Sequence, residues 1–333
     1  MGDSLTQDPP ASAVGVTTGW VEQLADACDD GPGYGFRPLW LGKEWSRGGT
    51  WSEPSPEDPF DVAPFGRGLY SSGTTIDWLR WTKPAAMKVR EFALYWFDMP
   101  GMGAWQYRVD GNWRTACPPR GGTDVGLHKF VVSSPIEECV EIRGYDGNAP
   151  CIAPIAGIAS YSLASSHSTA TTVHNLGAGQ ETLRALTRVT AGDRLSLLYD
   201  LQPDVLIVLF SNDLIFDDPD GFGERLQGLV ERVDGFADVL LISPYEQQPS
   251  DQENRLGDLK VGQRSRSMQA QYRAVTRSVA AANGCAYINL HECWAEGGGW
   301  DAAMRSGLMY DDLHPSQAGH DDIARRVQSM LGL

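Results

Sequence analysis

The sequence predicts a three-layer α/β/α unit built on a parallel sheet and interrupted by an inserted β-sandwich. Two continuous apolar runs, Val205–Phe210 and Val239–Ser243, each end at polar residues, as strands covered by helices on both faces do. Between about Arg67 and Ser162 the pattern is one of short β-branched and aromatic runs divided by turn signals, without intervening helices. A helical period precedes that stretch and returns after about Thr171, so one fold encloses another.

In chain order, Thr17-Thr18 caps a helix whose apolar positions are Trp20, Val21, Leu24, Ala25 and Cys28, and Gly31-Pro32-Gly33 stops it. From Gly31 to about Phe65 the chain is rich in Gly, Pro, Trp and acidic residues with no sustained period, which reads as an ordered long loop. Strand-like runs follow at Thr74–Leu79, Phe92–Phe97, Trp105–Val109, Lys129–Val132 and Cys139–Ile142, with Asp110-Gly111 as a hairpin signal. Beyond Thr171 come the two apolar strands, a further strand at Tyr287–Leu290, and helices at Ser265–Ala282 and Ser316–Leu331. The expected division is residues 1–66 for the first part of the enclosing unit plus the long loop, 67–162 for the sandwich, and 163–333 for the remainder.

A chain of 333 residues can bury a sizeable core. Its net charge of −16 argues against nucleic acid, because binding a phosphate backbone depends on clustered Lys and Arg. No stretch approaches the roughly 20 apolar residues that span a bilayer. The six cysteines show no Cys-x-x-Cys pairing, which argues against a zinc site. Cys117, Cys139 and Cys151 fall in one region and Cys285 lies near Cys293, which leaves either one or two disulfides or buried free thiols. Asp217, Asp218 and Asp220 read as a solvated acidic loop rather than a metal site.

Two short strings carry the chemistry. Gly2-Asp3-Ser4-Leu5-Thr6 near the start and Asp311-Asp312-Leu313-His314-Pro315 near the end supply a serine, a histidine and carboxylates. A serine hydroxyl becomes a nucleophile when a histidine removes its proton and a carboxylate orients that histidine. Each string alone has an ordinary structural meaning, as a turn or as the start of a helix. Two further strings, Asn175-Leu176-Gly177-Ala178-Gly179-Gln180 and Phe210-Ser211-Asn212-Asp213, fall between them.

Taken in order, the four strings resemble the blocks of the SGNH, or GDSL-type, hydrolase family. The resemblance implies Ser4 as nucleophile, His314 as base and Asp311 as its orienting acid. It also implies an oxyanion hole made by the backbone N–H of Ser4, the backbone N–H of Gly179 and the side-chain amide of Asn212, with Gly177 as an alternative to Gly179. Phe210 stands where the family usually has a glycine. In the family's fold the serine follows the first strand of the parallel sheet, yet only three residues precede Ser4. Either an apolar strand lies upstream of Met1 in the natural protein, or a segment from elsewhere fills the slot beside Val205–Phe210.

The implied activity is metal-independent ester hydrolysis without a cofactor. The expected substrate is an acylated, above all acetylated, carbohydrate or cell-wall glycan, because exposed rings of a sandwich, with Trp96, Trp105 and Trp113 as candidates, can stack on sugars. Strand alternation puts about half of such rings in the core instead. A silent adhesin on a hydrolase scaffold and an acyltransferase sharing the acyl-enzyme are the rival readings. An extracellular or virion-associated setting is favoured, and the oligomeric state is not legible.

Overall fold

A computed structural model describes residues 1, 6, 15–28, 36–37, 45–49, 51–52, 70–71, 78–83, 89–98, 105–117, 126–132, 136–144, 155–162, 171, 173–177, 182–187, 195–211, 213, 218–250, 254–256, 259–261, 265–294 and 299–333. They divide into two compact units, one made of Met1–Ala27, Leu176–Arg188 and Leu195–Leu333, the other of Cys28–Asn175 and Val189–Arg194.

The first unit opens with α1 (Trp20–Ala27), which buries Trp20, Val21, Leu24 and Ala25. The chain then enters the second unit, whose strands are β1 (Phe36–Arg37), β2 (Trp45–Gly48), β3 (Trp51–Ser52), β4 (Tyr70–Ser71), β5 (Trp78–Thr82), β6 (Val89–Asp98), β7 (Trp105–Val109), β8 (Arg114–Cys117), β9 (Gly126–Val132), β10 (Cys139–Gly144) and β11 (Ile155–Ser162). They form a four-stranded sheet in the order β1-β11-β6-β9, a five-stranded sheet in the order β2-β5-β10-β7-β8 and the small pair β3-β4. All the pairings are antiparallel.

The stretch expected to be a long loop thus supplies β1, β2 and β3. Pieces of two to four residues are too short to show a period, and two of them add to sheet edges where the neighbouring strand supplies the hydrogen-bonding template. The second unit is accordingly wider than residues 67–162. The Asp110-Gly111 turn joins β7 to β8 as expected. Asp110 takes a φ of 45°, a conformation that aspartate tolerates better than most residues, and its carboxylate accepts the N–H groups of Glu137, Glu138 and Cys139 at 2.7, 3.0 and 2.8 Å. Burial raises the Asp110 pKa, but these three N–H donors outweigh it and hold the carboxyl below its ordinary value.

Alternation splits the five-stranded sheet into two faces. Leu79, Trp81, Val140 and Ile142 are buried on one. On the other, Arg80, Glu141 and Arg108 stand in register across β5, β10 and β7. Glu141 is 3 % exposed and is gripped by Arg80 at 2.5 and 2.8 Å and by Arg108.

Back in the first unit, α2 (Leu183–Leu186), α3 (Ser196–Leu201), β12 (Val205–Leu209), α4 (Pro219–Val233), β13 (Asp238–Ser243), the hairpin β14 (Asn254–Leu256) and β15 (Leu259–Val261), α5 (Arg266–Asn283), β16 (Ala286–Asn289), α6 (Leu290–Trp294), α7 (Trp300–Arg305) and α8 (Gln317–Leu331) complete the chain. β12, β13 and β16 form a parallel sheet in that order. The slot on the free side of β12 holds Met1, whose N–H donates to Ile207 O at 2.6 Å and whose carbonyl accepts Leu209 N–H at 3.0 Å, the two bonds of a parallel pairing.

Capping explains where the helices begin. Ser265 and Ser316 accept the N–H groups of Met268 and Gly319 and start α5 and α8. Asp218 accepts Gly221 N–H at 2.8 Å ahead of Pro219, so the acidic stretch read as a solvated loop begins a helix. Asp-Pro before a 3.6-residue apolar period was the legible signal. Phe222 of α4 meets Tyr272 of α5 with ring centroids 5.2 Å apart. α8 buries His320, Ile323, Ala324 and Val327 and packs on α1. Cys28, Cys139, Cys285 and Cys293 are free thiols, which corrects the option of a Cys285–Cys293 disulfide.

Gly319 is where α8 meets the loop before it. A Cβ there would lie 2.2 Å from Leu308 O and 2.7 Å from Pro315 Cβ, so Gly319→Ala is expected to destabilise the protein by about 1–3 kcal/mol. Urea unfolding of the variant beside wild type checks this, and an unchanged midpoint would refute the close packing.

Candidate active site

The Asp311 string folds into a tight loop between α7 and α8. A bridge between Met309 and Pro315 closes it, Tyr310 N–H donates to His314 O at 2.9 Å, and Ser316 N–H donates to Leu308 O at 2.9 Å. Inside the loop Asp311 Oδ1 accepts the main-chain N–H groups of Leu313 and His314 at 2.7 and 2.6 Å. The same carboxylate meets the His314 ring, with Nδ1 3.1 Å from Oδ1 and 2.9 Å from Oδ2. One carboxylate therefore shapes the turn and orients the imidazole.

Burial raises the Asp311 pKa, but hydrogen bonds from the His314 ring and from the N–H groups of His314 and Leu313 outweigh it, and the carboxyl stays below its ordinary value. An ionised carboxylate only accepts, so Nδ1 carries a proton, and in the neutral ring Nε2 then keeps its lone pair. A neutral histidine held in this tautomer can take a proton from a hydroxyl through Nε2. The adjacent Asp312 has different partners. Its carbonyl accepts Gln248 N–H at 3.0 Å, and with the Gln248 amide turned so that its nitrogen faces Asp312 the carboxylate accepts that amide at 2.7 Å.

Ser4, Gly179 and Asn212 lie outside the described residues. Their described neighbours converge on the carboxyl end of β12. Met1 pairs with β12, and the Thr6 hydroxyl donates to Leu209 O at 3.4 Å. Phe210 and Ser211 are buried before position 212, and Asp213 is 1 % exposed after it. The Asp213 carboxylate accepts the N–H groups of Leu183 and Arg184 at 2.9 and 3.3 Å, which ties the third string to the first turn of α2, just beyond the second string. The Tyr272 hydroxyl donates to Asp213 O at 3.0 Å. The Asp311 loop is joined to the end of β13 through Tyr245 and Gln248.

Of the aromatic candidates, Trp105 is 3 % exposed and belongs to the buried set of its sheet. The Trp96 side chain lies outside the described residues. Trp113 is half-buried beneath the guanidinium carbons of Arg143 and Arg108, at 4.0 and 4.9 Å from its ring centroid. In the sequence Tyr245 reads only as part of the polar end of an apolar strand, the end at which parallel sheets carry their sites, and nothing there singles out Gln248 or Trp294.

The GDSL-like Lipase/Acylhydrolase family matches residues 151–321, just over half of the chain and inclusive of the Asp311–His314 loop. The chain belongs to this family. A structure described as a peptidoglycan O-acetylesterase in action matches with 16 % identity and a TM-score of 0.68 over 99 % of this chain and 89 % of its own, and shares the fold. An acetyl xylan esterase (20 % identity, 46 % of this chain and 77 % of its own, TM-score 0.33) and an acetyl-xylooligosaccharide esterase from a Geobacillus (18 %, 50 % and 74 %, TM-score 0.36) also match. No curated protein matches the sequence. The protein is an SGNH-type ester hydrolase on a three-layer α/β fold. Among the described residues no helix is long and apolar enough to cross a membrane, and no three His, Cys, Asp or Glu side chains are grouped to hold a metal.

Behind the loop lies a second histidine. His320 is 3 % exposed, its Nδ1 has no hydrogen-bond partner among the described residues, and burial pushes its pKa down to about 4, with the Asp321 charge opposing that shift and His314 adding to it. The folded protein holds His320 neutral where the unfolded chain binds a proton. Stability contributed by the neutral ring is complete above the ordinary value of 6.5 and is lost as pH falls to about 4, by roughly 3 kcal/mol at most. Unfolding free energies at pH 7 and 4.5 should show this slope in wild type and a flatter one in His320→Leu.

Proposed function

We propose that the protein removes acyl groups, acetyl above all, from a carbohydrate through an acyl-enzyme on Ser4. The observation that carries the catalytic assignment is the Asp311–His314 pair, with Nδ1 committed to the carboxylate and Nε2 left as the base. His314 Nε2 takes the Ser4 hydroxyl proton as Oγ attacks the ester carbonyl, and returns it to the leaving alcohol as the tetrahedral intermediate collapses. Water then attacks the acyl-enzyme by the same route and releases the acid.

The intermediate's oxyanion needs donors already aimed at it. The N–H groups of Ser4 and Gly179, with Gly177 the alternative second donor, and the Asn212 amide fill that role. Support comes from the tethering of the described neighbours: Met1, Thr6 and Asp213 are all held at the carboxyl end of β12. A residue three positions from Met1 is roughly 10 Å or less away.

The carbohydrate reading draws support from the second unit, in which we place a sandwich built around residues 67–162. The polar face of its five-stranded sheet forms an open cavity of about 570 Å³, lined among others by Arg80, Thr82, Arg108, Asp110 and Glu141. Sugar hydroxyls both donate and accept, so interleaved guanidinium and carboxylate groups suit them better than they suit an ester's acyl chain. Cell-wall glycan is the first polymer to try, because the peptidoglycan O-acetylesterase shares the fold.

Ser4→Ala is expected to abolish hydrolysis of p-nitrophenyl acetate, and a fluorophosphonate should label wild type at Ser4. Labelling at another serine would overturn the assignment. Asn212→Ala should lower kcat about a hundredfold with little change in KM, and EDTA should leave the rate unchanged. Release of acetate from O-acetylated peptidoglycan and xylan decides the substrate class, and faster turnover of long-chain esters than of acetyl esters would exclude it.

A further inference from the structure

The segment that leaves β13, Tyr245 to Gln248, is more tightly held than a surface connection requires. Tyr245 is 1 % exposed and lies flat against Trp294 of α6, with ring centroids 4.5 Å apart and planes at 15°. Trp294 is itself fixed, its indole N–H donating to Asp322 of α8 at 2.8 Å. Asp322 in turn pairs with Arg325 and, at 2.6 Å, with Arg326. Farther along, Gln247 N–H donates to the Gln269 side-chain oxygen at 3.0 Å and the Gln269 amide returns a bond to Gln247 O at 3.2 Å. Gln269 is 1 % exposed, so α5 grips this backbone from a buried position.

The held segment in turn reaches the Asp311 loop at two consecutive carbonyls. The Tyr245 hydroxyl donates to Leu313 O at 2.6 Å, and Gln248 N–H donates to Asp312 O at 3.0 Å. The Leu313 carbonyl belongs to the peptide group whose N–H is that of His314, and this N–H donates to Asp311 Oδ1 at 2.6 Å. A peptide group is planar and turns as one body. A donor on its oxygen therefore fixes the direction of its N–H, and with it the seat of the His314 ring on Asp311.

We propose that Tyr245 is a positioning residue for the catalytic base: its hydroxyl locks the Leu313–His314 peptide so that the imidazole stays registered on Asp311. The assignment rests on His314 acting as the base. Tyrosine suits the task because its ring is buried by stacking while its polar end stays at a fixed reach. The rigidity originates in α5, α6 and α8, which lock the stack and the strap from behind.

Tyr245→Phe keeps the ring and removes only the donor. It should unfold within a few degrees of wild type, because the stack on Trp294 remains. kcat for p-nitrophenyl acetate should fall about tenfold with KM changed less than twofold, since orientation of the base matters in the transition state and hardly in binding. A loosened carboxylate–imidazole contact also stabilises the protonated ring less, so the acid limb of kcat/KM should move to lower pH. Proton NMR reads the same contact without turnover. The His314 Nδ1 proton, identified by its absence in His314→Gln, should be a far-downfield signal that weakens or exchanges faster in Tyr245→Phe. Gln248→Ala is the second variant. It loses the side-chain contact to Asp312 but keeps the main-chain bond, and should show the same changes to a smaller extent.

Wild-type kcat, pH profile and Nδ1 signal in Tyr245→Phe would overturn the proposal. Loss of rate with an unmoved acid limb and an intact Nδ1 signal would also overturn it, as that pattern belongs to a general structural role. If wild type hydrolyses no ester, the functional reading fails, and the NMR comparison still decides whether Tyr245 holds the histidine.

Discussion

The carboxylate of Asp311 gathers three donors, the N–H groups of Leu313 and His314 and the Nδ1–H of the His314 ring. In the mechanism proposed above, the catalytic base is held by that convergence. A surface pairing of aspartate and histidine would be worth little and would wander. Here the carboxylate that braces the turn also receives the ring attached to it, so the ring arrives with no separate search. Orienting entropy is met once, by the fold of six residues, and the neighbouring Asp312 is kept out of competition by its own bonds to Gln248.

Much of this was legible in the amino-acid order. The apolar runs of β12 and β13 need cover on both faces, and their bare composition announces it. Ser265 and Ser316 stand where a helix needs its first N–H groups satisfied, and they became caps. Asp-x-x-His carried its own geometry, since an aspartate can accept main-chain N–H groups two and three residues on. What escaped is what depends on distant partners. β1 and β2 are strands because β11 and β5 lie beside them, and no periodicity of their own records it. Tyr245 looks in sequence like the polar end of a strand. Its role emerges once Trp294 and Leu313, separated from it by dozens of residues, are brought to either side. Trp105 and Trp113 share one composition class, yet Trp105 lies in a strand and is buried whereas Trp113 lies in the turn before β8, against Arg108 and Arg143.

The two units use charge in different ways. In the first, ionic groups near the site stand behind working residues, as Asp322 stands behind Trp294. In the second, Glu141 sits between two arginines on the middle strand of a sheet. Glu141 is buried while Arg80 and Arg108 stay partly exposed, so the arginines compensate a buried carboxylate without being fully desolvated themselves. The pairing fixes three polar side chains on a surface facing a cavity.

The parallel pairing of Met1 with β12 joins residues 206 positions apart, and α1 packs on α8, some 300 residues farther along the chain. A ribosome delivers the first of these partners some 300 residues before the second. The antiparallel sheets of the second unit pair segments that all precede α8, whereas α1, with its buried face of Trp20, Val21 and Leu24, waits for that helix. Maturation of the hydrolase unit is therefore a late and non-local event, slowed by the loop that must be closed. During that interval the waiting segment is an exposed apolar surface, a natural client for chaperones and the point at which a hurried nascent chain would go astray.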